Sequence, residues 1–108
     1  MTNKRIVLTT AGSEDEARKI AHALVENRVA ACVNIVPRIQ SIYRWHDKVE
    51  SEQEWLLLIK TTADNFAAVR DHLRKLHSYE VPECIAISIE QGSAEYLSWF
   101  DDVVSEEG

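Results

Sequence analysis

The spacing of apolar positions changes repeatedly along the chain, and each change marks an element. Arg5-Ile6-Val7-Leu8-Thr9-Thr10 reads as a first strand, closed by Ala11-Gly12. Ser13 with Glu16 three residues later is a capping box, so a helix begins there. Ala17, Ile20, Ala21, Leu24 and Val25 then recur at helical spacing and form one core-facing stripe, which ends at Asn27-Arg28. After Thr62, Asp64 is the expected N-cap of a second helix with Phe66, Val69, Leu73 and Leu76 on its apolar face. His77 to Glu80 is a loop, kept extended by Val81-Pro82. Cys84 to Ile89 alternates large and small residues as a strand does, and Gly92 breaks it. Ser93 caps a short third helix carrying Tyr96, Leu97, Trp99, Phe100 and Val103, and Ser105 to Gly108 reads as a frayed acidic tail.

Between the first two helices lies the stretch that organises the rest. Ile39 to Thr62 reads as one long β-hairpin. Its first arm, Ile39 to Trp45, is rich in β-branched and aromatic residues, and His46-Asp47-Lys48 form a polar tip. The second arm ends in Trp55-Leu56-Leu57-Leu58-Ile59, apolar at every position. Periodicity alone does not exclude a helix there, but the length and the following Thr61-Thr62 favour a strand buried on both faces. The first arm extends back through Ala31 to Val36, with Pro37 marking a bulge or an edge position. Sixteen or so extended residues span roughly 50 Å at about 3.3 Å per residue. A compact chain of this length is only roughly 35 Å across. The hairpin therefore outreaches its own fold.

The element order is βαββαβ plus a terminal helix, an α+β chain with the ferredoxin-like split-βαβ arrangement, one domain over residues 1–108. Two helices cover one face of such a sheet and leave the other open. Trp55 to Ile59 is apolar on both faces, and Ile6 to Leu8 nearly so. A second subunit is the expected cover, and a closed homo-oligomer is the economical form of it.

Composition narrows the partners. The 108 residues carry a net charge of −6, which disfavours nucleic acid and anionic membrane surfaces. No apolar signal segment precedes the first strand, and no stretch approaches the ~20 apolar residues of a membrane span. Cys32 and Cys84 lie far apart in strand-like contexts, which suits reduced thiols and a cytoplasmic location.

Metal chemistry is the first to weigh. No two of His22, His46, His72 and His77 have the i,i+4 spacing of a helical metal pair, and there is no Cys-x-x-Cys. His22 and His72 read as solvated helix residues and His46 as an exposed tip residue. His77 ends a helix beside Tyr79, Pro82 and Glu83; it is either a cation at a helix C-terminus or a binding residue. Glu50, Glu52 and Glu54 alternate on one strand face. Such a row holds hard divalent cations weakly, or is a solvated face offset by cross-strand Arg44 or Lys48. Cys32 and Cys84 are soft enough for copper, but suit buried structural thiols as well. There is no nucleophile elbow and no phosphate-cradling glycine loop, so no enzymatic activity is expected. The same topology serves RNA recognition, but Trp55 is the one aromatic of its strand and the charge is wrong.

Ala30-Ala31-Cys32-Val33-Asn34-Ile35-Val36-Pro37, then Ser41-Ile42-Tyr43-Arg44-Trp45 with Lys48 and Glu50, then Ile59-Lys60-Thr61-Thr62, resembles the CutA divalent-cation tolerance family. His77-Ser78-Tyr79, Pro82-Glu83 and Tyr96-Leu97-Ser98-Trp99 continue the match over nearly the whole chain. The resemblance implies a ferredoxin-like homotrimer with interlocking hairpins, packed much as PII signalling proteins are. It also implies a non-enzymatic role in tolerance to copper or another divalent cation, with no organic cofactor. Asp47 stands where the family often has Gly, and Ser78 where Pro is common. Some members carry Cys at the position of Thr9 and His at the position of Leu76; of that copper-linked trio only His77 is present here.

Two functional expectations follow. In one, the trimer binds metal or a small ligand at clefts between subunits, with His77 the metal ligand and Trp45, Lys60, Tyr79 and Glu83 lining the cleft. In the other, a signalling or anchoring trimer displays its hairpin tips, His46, Asp47 and Lys48, to a partner protein.

Overall fold

The computed structural model describes residues 2–105. Its elements are β1 (Lys4–Ala11), α1 (Glu14–Glu26), β2 (Cys32–Trp45), β3 (Lys48–Thr62), α2 (Phe66–Leu76), β4 (Ile85–Ser88) and α3 (Ala94–Val103). The strands form one antiparallel sheet in the order β2-β3-β1-β4, the ferredoxin-like arrangement that the element order predicts.

The start of α1 follows local chemistry, Ser93 holds the N-cap position of α3 without a side-chain cap bond, and α2 needs a correction. The Ser13 hydroxyl accepts the Glu16 N–H at 3.1 Å, and Glu14, Asp15 and Glu16 face the positive end of α1. Asp64 does not cap α2. Thr62 is the cap of a short 3₁₀ turn, Ala63–Asn65, and Asn65 then precedes the regular helix. The Ala63 N–H bonds the Asn3 carbonyl at 2.7 Å, tying the chain to the start of β1 and delaying the helix.

Alternation along the strands decides what is buried. Val7 and Ala11 of β1 and Leu57 and Ile59 of β3 point at the helices. There they meet Ala17, Ile20 and Leu24 of α1 and Val69 and Leu73 of α2, all fully buried. Each large side chain among them contributes about 1.5–3 kcal/mol by leaving water. The opposite face is apolar as well. The register sets Leu8 between Leu58 and Ile85, and Ile6 between Lys60 and Ile87. α3 closes one end of it: Phe100 and Val104 pack with Ala31 and Ile89, and Lys4 pairs with Asp101 at 2.9 Å. The Ser105 N–H donates to the Arg28 carbonyl at 2.8 Å, so the expected acidic tail is anchored at its first residue; its remainder, 106–108, lies outside the described residues. Ile85 and Ile87 stay exposed.

β1 pairs with β3 only as far as Trp55, so the hairpin beyond that point is a two-stranded ribbon with no third strand beside it. The molecule measures 44 Å along its longest axis against 25 and 21 Å across. Pro37-Arg38 forms a bulge on the edge strand β2, with Arg38 at φ 58°, and the extra residue turns Ile39, Tyr43 and Trp45 onto the face of the glutamate row. Trp45 pairs with Lys48, so Lys48 opens β3 and the tip is His46-Asp47 alone, at φ 50° and 65°. That is the two-residue I′ pattern that matches strand twist.

Candidate functional site

Where β1 stops at Ala11, β3 runs on past it, and the loop between α2 and β4 fills the space that β1 leaves. His77 anchors that loop. Its Nδ1 accepts the Tyr79 N–H at 3.1 Å, so Nε2 carries the proton and donates to the Thr10 carbonyl at 2.5 Å. The ring is buried, and its centroid lies 4.5 Å from that of Tyr79. Glu16 clamps the same loop from below. Its carboxylate accepts the Ser78 N–H at 2.6 Å, the Ser78 hydroxyl at 3.1 Å and the Gly12 N–H at 3.4 Å. Burial pushes the Glu16 carboxyl up, but these bonds, with His77 nearby, outweigh it and leave its pKa below the ordinary value.

The clamp directs Tyr79 across the end of β1, over Gly12, onto β3. A Cβ on Gly12 would stand 3.1 Å from the Tyr79 hydroxyl, so the crossing is close and any larger residue there would push the ring by a few tenths of an ångström. The hydroxyl donates to Glu54 at 2.7 Å, and Glu54 is 7% exposed. Burial, then the bond to Glu54, pushes the Tyr79 phenol well above its usual range. Burial, then the Glu54 charge, pushes the Glu83 carboxyl up. The result is a protonated phenol on the buried Glu54 carboxylate, with the exposed Glu83 carboxylate near enough to feel its charge. Such a grouping suits cations and hydrogen-bond donors.

Of the expected site residues, the fold unites Tyr79 and Glu83 around Glu54, with His77 two residues from Tyr79. Trp45 and Lys60 are elsewhere. Each is separated from Glu54 by six or so strand residues, Trp45 toward the tip and Lys60 toward the other end, about 20 Å at ~3.3 Å per residue. Lys60 instead donates to the Tyr96 hydroxyl at 3.2 Å. Within one chain these residues form no common cleft.

Glu54 and Glu16 are the residues that pattern reading undervalued. The Glu50-Glu52-Glu54 row was visible, but its partners are not Arg44 and Lys48, which pair with Val49 and Trp45. Among the described residues, no Lys or Arg lies within ion-pair distance of the row. Tyrosines face it instead: burial, then the nearby Glu52, pushes the Tyr43 phenol up. The remaining histidines and the cysteines lie apart from the row, and His72, expected to be solvated, is half-buried. His72 bonds the Ala68 carbonyl at 2.9 Å, and His22 lies exposed 3.7 Å from Glu26. Both cysteines are unpaired, and burial raises the Cys84 thiol despite Arg70 and Arg74 nearby.

The fit to copper divides. An imidazole whose Nε2–H is held by a carbonyl is oriented as a metal-binding histidine is. Yet the Nδ1 lone pair is shielded by Tyr79, Thr9 and Leu76 supply no soft ligand, and no three His, Cys, Asp or Glu side chains among the described residues are grouped to hold a metal ion. Within one chain the described residues offer one nitrogen, short of a copper centre.

The chain matches the CutA1 divalent ion tolerance protein family over residues 5–103. It is 52% identical over 96 residues to the divalent-cation tolerance protein CutA of Thermus thermophilus, covering 89% of this chain and 93% of that one. It is 47% identical over 94 residues to human protein CutA, covering 87% of this chain and 52% of the human one, so it spans about half of that relative. Among solved structures, the Thermus thermophilus divalent cation tolerance protein superposes with a TM-score of 0.93 at 49% identity, over 94% of this chain and 99% of that chain. With one continuous match from β1 to the end of α3, on a fold shared with those structures, this chain belongs to the CutA1 divalent ion tolerance protein family.

Proposed function

We propose that this is a non-enzymatic, homotrimeric binding protein of divalent metal ion tolerance, copper included, whose ligand site is the recess at the base of the hairpin completed by a neighbouring subunit. The observation that carries this reading is the uncovered ribbon. Ile42, Trp45 and Val49 are 70%, 60% and 66% exposed along the outer ribbon, several strand residues beyond the Tyr79–Glu54–Glu83 cluster, and Ile85 and Ile87 are bare on the strand at the opposite edge of the sheet. A second copy supplies the cover that the chain lacks, and brings another Trp45 or Lys60 to the recess. The relatives named for divalent-cation tolerance support the metal role. Unpaired Cys32 and Cys84 support a reducing compartment such as the cytoplasm.

The test is a copper titration by calorimetry on metal-free protein beside His77→Ala, with mass measured in the same buffer. Saturable binding to a trimer that disappears in the variant supports the reading. An intact trimer without saturable binding overturns direct copper binding at His77. The exposed left-handed tip supports a second reading, a PII-like signalling or anchoring trimer that captures a protein partner through His46, Asp47 and Lys48. Under it, Asp47→Ala abolishes partner capture and His77→Ala does not.

A further inference from the structure

At the other end of β1 from His77, a cavity of about 150 Å³ lies between the start of β1, the 3₁₀ turn and the end of α3. Asn3, Thr62, Asp64, Asn65, Asp101 and Val104 line it. We infer that this cavity is a site for a hard divalent cation, held by the Asn65 amide oxygen and the Asp64 and Asp101 carboxylates with water completing the shell.

Asn65 is the starting point. It is 2% exposed, its Nδ2 donates to the Thr62 hydroxyl at 3.0 Å, and its Oδ1 is buried with no hydrogen-bond partner. An unpaired buried carbonyl oxygen costs about 1–3 kcal/mol. In this arrangement the Thr62 hydroxyl takes the NH₂ group and the oxygen is left for a ligand. A ligand that repays the cost must be an electron-pair acceptor or a hydrogen-bond donor. The cavity also gathers acid. Asp64 is exposed and makes no ion pair among the described residues. Lys4 takes one oxygen of Asp101 at 2.9 Å and the Asn3 amide oxygen at 2.6 Å. Two carboxylates against one ammonium leave the cavity net negative. Its charged and amide donors are oxygens, with no imidazole or thiolate, which selects calcium, magnesium or manganese over copper. The volume is well above the roughly 10–15 Å³ that one water needs, so it admits an ion with part of its water shell. With Lys4 opposing it, binding falls in the weak range of about 10⁻⁴–10⁻³ M. The site stands on its own residues and does not depend on the His77 recess.

Manganese is the probe, because it reports both occupancy and place. Free Mn²⁺ is followed by electron paramagnetic resonance during titration of the full chain, and amide line broadening is mapped in parallel. One ion should bind per chain, be displaced by Ca²⁺ or Mg²⁺ but not by K⁺, and broaden the Asn65 side-chain amide and residues 62–65 first. Asp64→Asn, at an exposed position without an ion pair, should weaken binding about tenfold, or about 1.4 kcal/mol. No saturation by about 10 mM, equal displacement by K⁺, broadening centred on His77 and Tyr79, or unchanged affinity in Asp64→Asn would each overturn the assignment.

Discussion

β3 is one strand in two environments. From Trp55 to Thr62 it lies between β1 and β2 under two helices, and Leu57, Ile59 and Thr61 are fully buried. From Lys48 to Gln53 it keeps its partner β2 but loses β1 and both helices, and every residue except the half-buried Glu50 is exposed. The inner half is laddered on both sides and the outer half on one, and the inner half alone is buried. The outer ribbon is shaped by its ladder and turn, and an isolated two-stranded ribbon is marginal in water. Between the two halves sits Glu54, buried yet charged, and the loop that serves it is the candidate site.

The comparison breaks most sharply at Leu57. Leu57→Ala should cost about 3 kcal/mol in denaturant unfolding, by lost burial and a cavity. At the junction, Tyr79→Phe removes the donor to Glu54 and should cost about 1–3 kcal/mol, read by the same method. Glu16 gives a pH signature. Its folded pKa lies below its ordinary value of 4.5, so the ionised form stabilises the fold above that pH. That contribution is lost as pH falls from 4.5 through the folded value. Glu16→Gln should lower neutral stability and flatten the acid side of the profile. At the tip, Asp47→Gly relieves a φ of 65° and should add about 0.5–1 kcal/mol. Ile42→Ala sharpens the contrast at its small end. In dissociated chains it should cost under about 0.5 kcal/mol; once chains assemble, the cost should rise with concentration, seen in melting curves at two dilutions.

Much of the fold was legible because its signals are local. The Ser13 cap, the Ile20-Leu24 stripe and the Pro37 bulge each depend on neighbours within a few residues. The Asp64 cap failed because Asn3, sixty residues earlier, claims the Ala63 N–H. The site was legible in part. His77, Tyr79 and Glu83 were chosen from their loop, and the fold sets Tyr79 and Glu83 on Glu54. Glu54 itself looked like one member of an exposed row, since alternation reports a face and not what lands on it.

Period and turn chemistry along the chain are enough to specify the strands, the helices and an overlong ribbon, because each is a short-range property of consecutive residues. Which carboxylate is buried, which imidazole nitrogen holds the proton and which amide oxygen goes unpaired are properties of segments that meet across the sheet. Tyr79 with Glu54 and Thr10 with His77 set the first two, 25 and 67 residues apart in the chain, and the turn that Asn3 ties at Ala63 sets the third. Desolvation acts through three-dimensional surroundings, so it becomes readable once the chain has folded back on itself.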